Sequence, residues 1–336
     1  MSQAASGRPG LVDHMQLSII IVNYKAWGHL QTALDAIHPG FPGDWEIIIV
    51  DNESEPVAFQ EFQNSYQWVR LIASPANTGF GFGSRIGAAA ARGKQFLFMN
   101  PDVVATVGEI RALIEEKARY PDVALLAPKQ VDKNGRPQKV FDEFPSLLNQ
   151  SKTLKALARK IAPSRSPDPR GEHSEMTFCD WITGSFLLID KADYEAIGGW
   201  SPDYWMYSED TDLCRRAHDA GMRVAYTPRV QVIHVHGGSS RINVRVKSLT
   251  KLEVIISKHV YTSKHTRGPE RWLTHCLIAS VRLPGLVVAA LLDVLSLRQV
   301  PVLRVRSRML AGLLGYYRGV LKTGTWISPR AQANQP

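Results

Sequence analysis

Cysteine is nearly absent: the 336 residues hold three, Cys179, Cys214 and Cys276, widely spaced and without a Cys-x-x-Cys pair. This excludes a disulfide framework and a cysteine-built structural zinc, and it fits a reducing cytosol. The first 16 residues are polar and lack an apolar core, so a disordered N-terminus is expected there and no signal peptide. Two fingerprints are also missing. The glycine run Gly79 to Gly87 resembles a dinucleotide loop, but the position that should be glycine is Ile86 and the run follows a polar loop instead of a strand, which disfavours a dehydrogenase. Thr183-Gly184-Ser185-Phe186 lacks the flanking glycines of a nucleophile elbow. Acidic residues, finally, are scarce at one end. Residues 241–336 carry 16 Lys+Arg against 3 Asp+Glu, which leaves 24 against 28 for residues 1–240. The basic residues of that tail alternate with aliphatic runs, not with aromatics suited to base stacking, so the expected partner is an anionic membrane and no nucleic acid.

Short β-branched runs are abundant. Leu17 to Val22 and Glu46 to Val50 read as strands buried on both faces, Val69 to Ala73 as a third, Gln95 to Met99 as a fourth and Val123 to Ala127 as a fifth. Helical segments alternate with them near 27–37, 57–66, 83–92 and 107–117. This alternation predicts an α/β protein with a mostly parallel, Rossmann-like sheet. Residues 128–179 break the rhythm, with a hairpin tip at Val131 to Pro137 and a surface loop over Ser164 to Glu175. Order resumes with one strand over Trp181 to Ile189, a helix from Lys191 to Ile197, a helix from Glu209 or Asp210 to Ala220, and two short strands over Arg223 to Tyr226 and Val230 to His234. The stretch from Leu273 to Leu297 is apolar but carries His275, Arg282, Pro284 and Asp293, each costly at bilayer depth. An in-plane or hairpin amphipathic element is expected in preference to a full span, the alternative being helices that pack back on the body.

Carboxylates occur where such a sheet presents its strand ends. The run Gln95 to Met99 stops at Asn100-Pro101-Asp102, and because proline cannot donate to a ladder, Asp102 should emerge at a strand C-terminus. Open α/β sheets bind ligands at that edge, and a carboxylate there suits Mg²⁺ or Mn²⁺ carrying a phosphate. Asp51 follows the second strand and would lie on the same edge, either as a nucleotide contact or as a turn residue. Glu209, Asp210 and Asp212 fall within four positions at a helix start, behind Tyr204-Trp205-Met206-Tyr207. Asp212 reads as a capping residue, the aromatics as stacking surfaces for a sugar, and one of the other acids as a general base. His234 and His236 point to opposite faces of an extended segment, so at most one shares a metal with Asp102. The following Gly237-Gly238 offers amides to a phosphate.

In their order along the chain, Ser18 to Tyr24, Ile49-Val50-Asp51-Asn52, Asn77-Thr78-Gly79-Phe80, Asn100-Pro101-Asp102, Gly184-Ser185-Phe186, Glu209 to Leu213 and His234 to Ser240 resemble the family 2 glycosyltransferases of GT-A fold. Within these they resemble the rhamnosyltransferase-like branch of bacterial cell-surface polysaccharide synthesis. The resemblance spans residues 17–240 and implies a nucleotide-binding half over 17–127, an acceptor and catalytic half over 128–240, and a helical, basic, membrane-associating region over 241–336. It implies an inverting transfer from a nucleotide sugar to a hydroxyl of a lipid-linked or cell-surface glycan, at the cytoplasmic face of the membrane. Asp210, beside Glu209, would be the catalytic base; Asn23, Asp51, Asn77, Gly79, Arg85, Asn100 and Gly184 would hold the donor; Asp102 with His234, or else His236, would hold Mg²⁺ or Mn²⁺. The branch suggests dTDP-rhamnose as donor, with UDP-linked galactofuranose, glucose or N-acetylglucosamine as alternatives. Two positions depart from the pattern: Asn100 replaces the first metal-motif acid, and Ser84-Arg85-Ile86 stands where the branch has Asn-Asn-Arg. A non-catalytic, membrane-anchored binding protein with the same body is the rival reading.

Overall fold

The computed structural model describes residues 15–53, 56–74, 76–150, 167–169, 171–235 and 243–333. Four strands run parallel: β1 (Leu17–Asn23), β2 (Trp45–Asn52), β3 (Arg70–Ser74) and β4 (Gln95–Met99), ordered β3-β2-β1-β4. Helices α1 (Trp27–Ile37), α2 (Pro56–Ser65) and α3 (Gly79–Ala90) join them. Every residue of β1 and β2 is buried, as continuous apolar runs require when both sheet faces are covered. Alternation along the strands sorts the core into two layers. Ile19, Ile21, Ile47, Ile49 and Leu97 face one side with Leu30 and Leu34 of α1, whereas Ile20, Ile48, Phe96 and Phe98 face the other with Ala88 of α3.

Beyond β4 the sheet becomes mixed. After the two-residue β5 (Val103–Val104) and α4 (Val107–Ala118) come β6 (Val123–Val131), β7 (Phe141–Asp142), β8 (Thr177–Phe178), β9 (Trp181–Ile182) and β10 (Phe186–Asp190). Short α5 (Lys191–Ala196) and α6 (Glu209–Asp219) lead to β11 (Arg223–His234). The sheet continues β4-β10-β6-β11-β5, with β10 antiparallel to both neighbours, β11 parallel to β6, and β8 on the edge of β11.

Three expectations change here. The strand expected over Trp181 to Ile189 is split at Thr183 to Ser185, so that β9 pairs with β7 in a separate small sheet while β10 enters the main one. The strand expected to stop at Ala127 runs on through Pro128 to Val131, because Pro128 lies where the pairing with β11 is irregular and no ladder donor is needed. The same irregularity, between Thr227 and Gln231, joins the two short strands expected at 223–234 into one. Of the loop expected at 164–175, residues 167–169 and 171–175 are described and form neither helix nor strand; the others lie outside the described residues.

The chain beyond 243 forms three long helices, α7 (Val244–His265), α8 (Gly268–Leu295) and α9 (Pro301–Thr323), followed by a short α10 (Pro329–Gln332). They share a core of Leu252, Ile255, Ile256, Ile278, Val305 and Leu313, into which Tyr204 of the body inserts. The tail therefore packs back on the body through α7. His275 and Asp293, both counted against a bilayer location, are buried within this bundle. Among the described residues α8 is the one helix long and apolar enough to cross a membrane, by length and composition only.

The clamp between body and tail is Asp212. It is fully buried on α6 and is not a helix cap: the N-cap is Ser208, in left-handed backbone geometry without a side-chain cap bond. Nε of Arg216 donates to Asp212 Oδ2 at 2.8 Å, Nε2 of His265 to Oδ1 at 2.8 Å, and Tyr204 Oη to Oδ1 at 3.3 Å. Burial alone would raise this carboxyl, but the His265 bond and the Arg216 and Lys264 charges outweigh it and hold it below the ordinary carboxylate value. Asp212→Ala takes from Arg216, Lys264 and His265 the buried carboxylate they share and is expected to cost about 3–5 kcal/mol in chemical denaturation. The sign with pH follows from the depressed folded value: the contribution is complete above the unfolded carboxyl's pKa, about 4, and fades as pH falls through the folded one. The variant's stability should accordingly fall less steeply on acidification than that of the wild type.

Candidate active site

A cavity of about 630 Å³ opens at the edge where β1, β2, β4 and β11 end. Three elements supply its chemistry. The first is the turn after β4, where Asn100 N–H donates to Ser185 C=O at 2.8 Å and Val103 N–H closes onto Asn100 C=O at 3.1 Å, holding Asp102 at the mouth of β5. β5 pairs antiparallel with the end of β11, Val103 opposite His234, and Val235 N–H donates to Asp102 C=O at 2.9 Å. The result is that Asp102 Oδ1 and His234 Nε2 lie 3.4 Å apart although 131 positions separate them in the chain.

His234 is oriented from behind. Its Nδ1 lies 2.8 Å from Gln130 Oε1, an oxygen that can only accept, and Ser185 Oγ donates to the same oxygen at 2.9 Å, so that Nε2 is the ring nitrogen turned toward Asp102. Gln138 Nε2 anchors the His234 carbonyl at 2.7 Å. An imidazole fixed through its other nitrogen beside a carboxylate is a donor set suited to a divalent cation whose remaining positions go to phosphate and water oxygens. Asp102 and His234 are a pair: among the described residues no cluster of three or more His, Cys, Asp or Glu side chains forms. His236 and Gly237 to Ser240 lie outside the described residues.

The second element is the start of α6. Tyr207 and Ser208 both adopt positive φ, 72° and 62°, an uncommon backbone for consecutive non-glycine residues, and this strain turns the helix end toward the cavity. Asp210 Oδ2 accepts from Gly184 N–H at 3.2 Å and Oδ1 from Thr211 N–H at 2.7 Å. Burial raises its carboxyl above the ordinary value while those amides pull the other way. Burial, then the neighbouring Asp210 charge, raises Glu209 well above its ordinary value, and Glu209 Oε2 has no hydrogen-bond partner. The two acids thus divide their roles by environment: the amides favour the ionised form on Asp210, and Glu209 is the member driven toward its neutral form.

The third element is the loop before α3. Asn52 at the end of β2 accepts Thr78 N–H at 3.0 Å and Thr78 Oγ1 at 2.9 Å, and donates to Gly79 C=O at 3.0 Å. Trp205 Nε1 donates to Asn77 C=O at 3.1 Å, and Phe80 N–H to Trp205 C=O at 3.0 Å. Gly79 has φ +82°, and a Cβ there would sit 1.9 Å from the Trp205 carbonyl oxygen, so only glycine fits. One turn and two turns on, Gly83 and Gly87 press against Val22 and Ile20, where a Cβ would come within 2.9 and 2.4 Å of their methyls. The run that imitates a dinucleotide loop is a helix–sheet contact face.

Of the residues expected at the site, Asn77, Gly79, Asn100, Asp102, Gly184, Glu209, Asp210 and His234 line this one cavity. Asn23 and Asp51 are buried beside it and bonded to each other, Asn23 Nδ2 to Asp51 Oδ1 at 2.9 Å, while Arg85 Nη1 donates to the Trp200 carbonyl at 2.9 Å; these three do not line it. Trp205, Met206 and Tyr207 line the cavity, but Tyr204 turns away to Asp212 and into the helical core. Asn52, part of the same motif as Asp51 but not expected to hold the donor, lines it too. So do Lys258, Thr250 and Val246, which went unnoticed and which α7 contributes as a wall.

An α/β body whose sheet edge gathers acids and an imidazole around one cavity has the arrangement of an α/β enzyme that binds its ligand at the strand ends. Comparison with known proteins gives the particular family. Residues 18–196 match the family described as "Glycosyl transferase family 2", and residues 176–236 match "N-terminal domain of galactosyltransferase". N-acetylglucosaminyl-diphospho-decaprenol L-rhamnosyltransferase of Mycobacterium tuberculosis is 28% identical over 235 residues, 65% of this chain and 75% of that protein. Rhamnosyltransferase WbbL of Escherichia coli is 27% identical over 225 residues, 64% of this chain and 82% of that protein. Among solved structures, the mannosyltransferase PcManGT of Pyrobaculum calidifontis with GDP-Man and Mn²⁺ superposes with a TM-score of 0.50 at 14% identity, covering 91% of this chain and 87% of that one. GalNAc-T7 with UDP, GalNAc and Mn²⁺ superposes at 0.51 and 13% identity over 75% of this chain, which spans about half, 51%, of that structure. The chain belongs to glycosyl transferase family 2 and is a glycosyltransferase of GT-A fold.

Proposed function

We propose that the protein transfers a sugar, with rhamnose from dTDP-rhamnose as the first donor to test, to a hydroxyl of a lipid-linked glycan with inversion at the anomeric carbon. The observation that carries this reading is Asp210: a carboxylate at a strained helix start, its pKa raised by burial, in the same cavity as the Asp102–His234 pair. A carboxylate raised toward the working pH is a better base than an ordinary one, and the amides of Gly184 and Thr211 favour its ionised form. As the acceptor oxygen bonds to the anomeric carbon, its proton passes to Asp210. The anomeric C–O bond breaks with its electron pair leaving on the nucleoside diphosphate. Asp102 and His234 would hold Mg²⁺ or Mn²⁺, which when bound neutralises the diphosphate charge. The relatives named as rhamnosyltransferases support the donor, and the diphospho-decaprenol in the name of one supports a lipid-diphosphate acceptor.

The expected result for Asp210→Asn is loss of turnover by about 10²-fold or more with nucleotide binding intact. Nucleoside diphosphate release from a panel of dTDP- and UDP-sugars measures it. In the wild type the acid limb of kcat/KM should lie above the ordinary carboxylate range, because the ionised form is the active one and its folded pKa is raised. Full activity of Asp210→Asn contradicts the assignment.

Attachment to the cytoplasmic face of an anionic membrane belongs to the same reading. The outer face of α8 exposes Leu291 and Leu295 at 61% and 78%, and the surrounding tail is strongly basic. Leu291→Asp with Leu295→Asp should lower flotation with phosphatidylglycerol vesicles about tenfold without changing the melting temperature, since neither side chain is in the core. Unchanged flotation would show that this face does not meet lipid.

A further inference from the structure

α7 builds part of the active-site wall, with Val246, Thr250 and Lys258 lining the cavity that holds Asp102 and Asp210. Most cations at this junction are already committed. Lys264 pairs with Asp203 and lies 3.7 Å from Asp212, and His265 bonds Asp212. Lys258 differs: among the described residues it has no hydrogen-bond or ion-pair partner, and it is only partly exposed. The charge that acts on it is a second cation, Arg282 on the exposed side of α8. Burial first, and then Arg282, lower the Lys258 ammonium below its ordinary value. Lys258 lines the cavity without an anionic partner among the described residues, and Arg282, exposed on α8, is near enough for its charge to act on it. A bound polyanion would meet both positive charges.

We propose that Lys258, supported by Arg282, is the phosphate subsite for the acceptor: it grips the diphosphate that joins the acceptor sugar to its lipid, and the lipid leaves along the apolar face of α8. This rests on the proposed transfer to a lipid-linked acceptor. The position of the two cations favours the acceptor's diphosphate over the donor's. Both belong to the C-terminal helices, whereas the metal-type pair suited to the donor lies at the strand ends, and Arg282 shares its helix with the exposed leucines.

The test compares the full chain with Lys258→Met, which keeps the apolar stem, Lys258→Arg, which keeps the charge, and Arg282→Ala, which is exposed and leaves the core untouched. Acceptors are an alkyl-diphosphate-linked sugar and the same sugar as a simple alkyl glycoside. Lys258→Met should raise KM for the diphosphate acceptor about tenfold, leave the nucleotide-sugar KM unchanged, and leave the alkyl glycoside unaffected. Lys258→Arg should restore most of the loss, and Arg282→Ala should raise the same KM about threefold. A rise in donor KM, or an equal loss with both acceptors, overturns the subsite. Calorimetric binding of farnesyl diphosphate, which needs no turnover, should weaken about tenfold in Lys258→Met and persist in Asp210→Asn. Equal binding by Lys258→Met overturns the proposal even if transfer is observed. Binding that follows Lys258 without any transfer would instead uphold the subsite and refute the proposed reaction.

Discussion

The site depends on a two-residue strand. β5 is only Val103–Val104, yet its pairing with Ile233–His234 brings the end of one half of the chain against the end of the other. A backbone hydrogen bond from Val235 N–H to the Asp102 carbonyl and a side-chain one from Gln138 Nε2 to the His234 carbonyl fix the backbone on both sides of the pair before any ligand arrives. Such preorganisation matters for a site with one acid where a two-acid motif is usual. With Asn100 in place of a carboxylate, the proposed grip on a cation would come from Asp102 and from a histidine whose other nitrogen is held by Gln130.

α6 turns the same sequence of acids to three purposes. Glu209, Asp210 and Asp212 differ in environment far more than in chemistry. Asp210 collects amide donors at the cavity, and Glu209 is buried without a partner for Oε2. Asp212, on the inner side of the helix, is surrounded by cations from its own helix and from α7. A helix that carries the proposed base on one face and the clamp for the tail on another couples the cavity to the C-terminal bundle. The helical tail is therefore part of the cavity wall as well as the proposed surface for lipid.

Much of this was legible in the residues. The runs at Leu17, Glu46 and Gln95 could only be doubly buried strands, and the acids at their ends had to share an edge. What escaped the sequence was set by long-range pairing. A proline in β6 signals a stop unless the neighbouring strand carries an irregularity at the same level, which no local pattern reveals. Trp181 to Ile189 reads as one strand because its apolar run is continuous; the break at Gly184 exists to present an amide to Asp210. Asp212 looks like a cap by position, and beside Arg216 on its own helix only the arrival of Lys264 and His265, more than 50 residues later, makes it the clamp between body and tail. Lys258 carried no local signal, because its significance is the cavity it faces.

The central claim is that Asp102 and His234 act as one cation-holding pair for the donor diphosphate. Mn²⁺ binding in the presence of dTDP or UDP, followed through the electron paramagnetic resonance of the free ion, tests it most directly. Asp102→Ala and His234→Ala should each weaken nucleotide-dependent Mn²⁺ binding by about tenfold or more, and Gln130→Leu should weaken it to a smaller extent. A His234→Ala protein that binds Mn²⁺ and nucleotide as the wild type does would contradict the account.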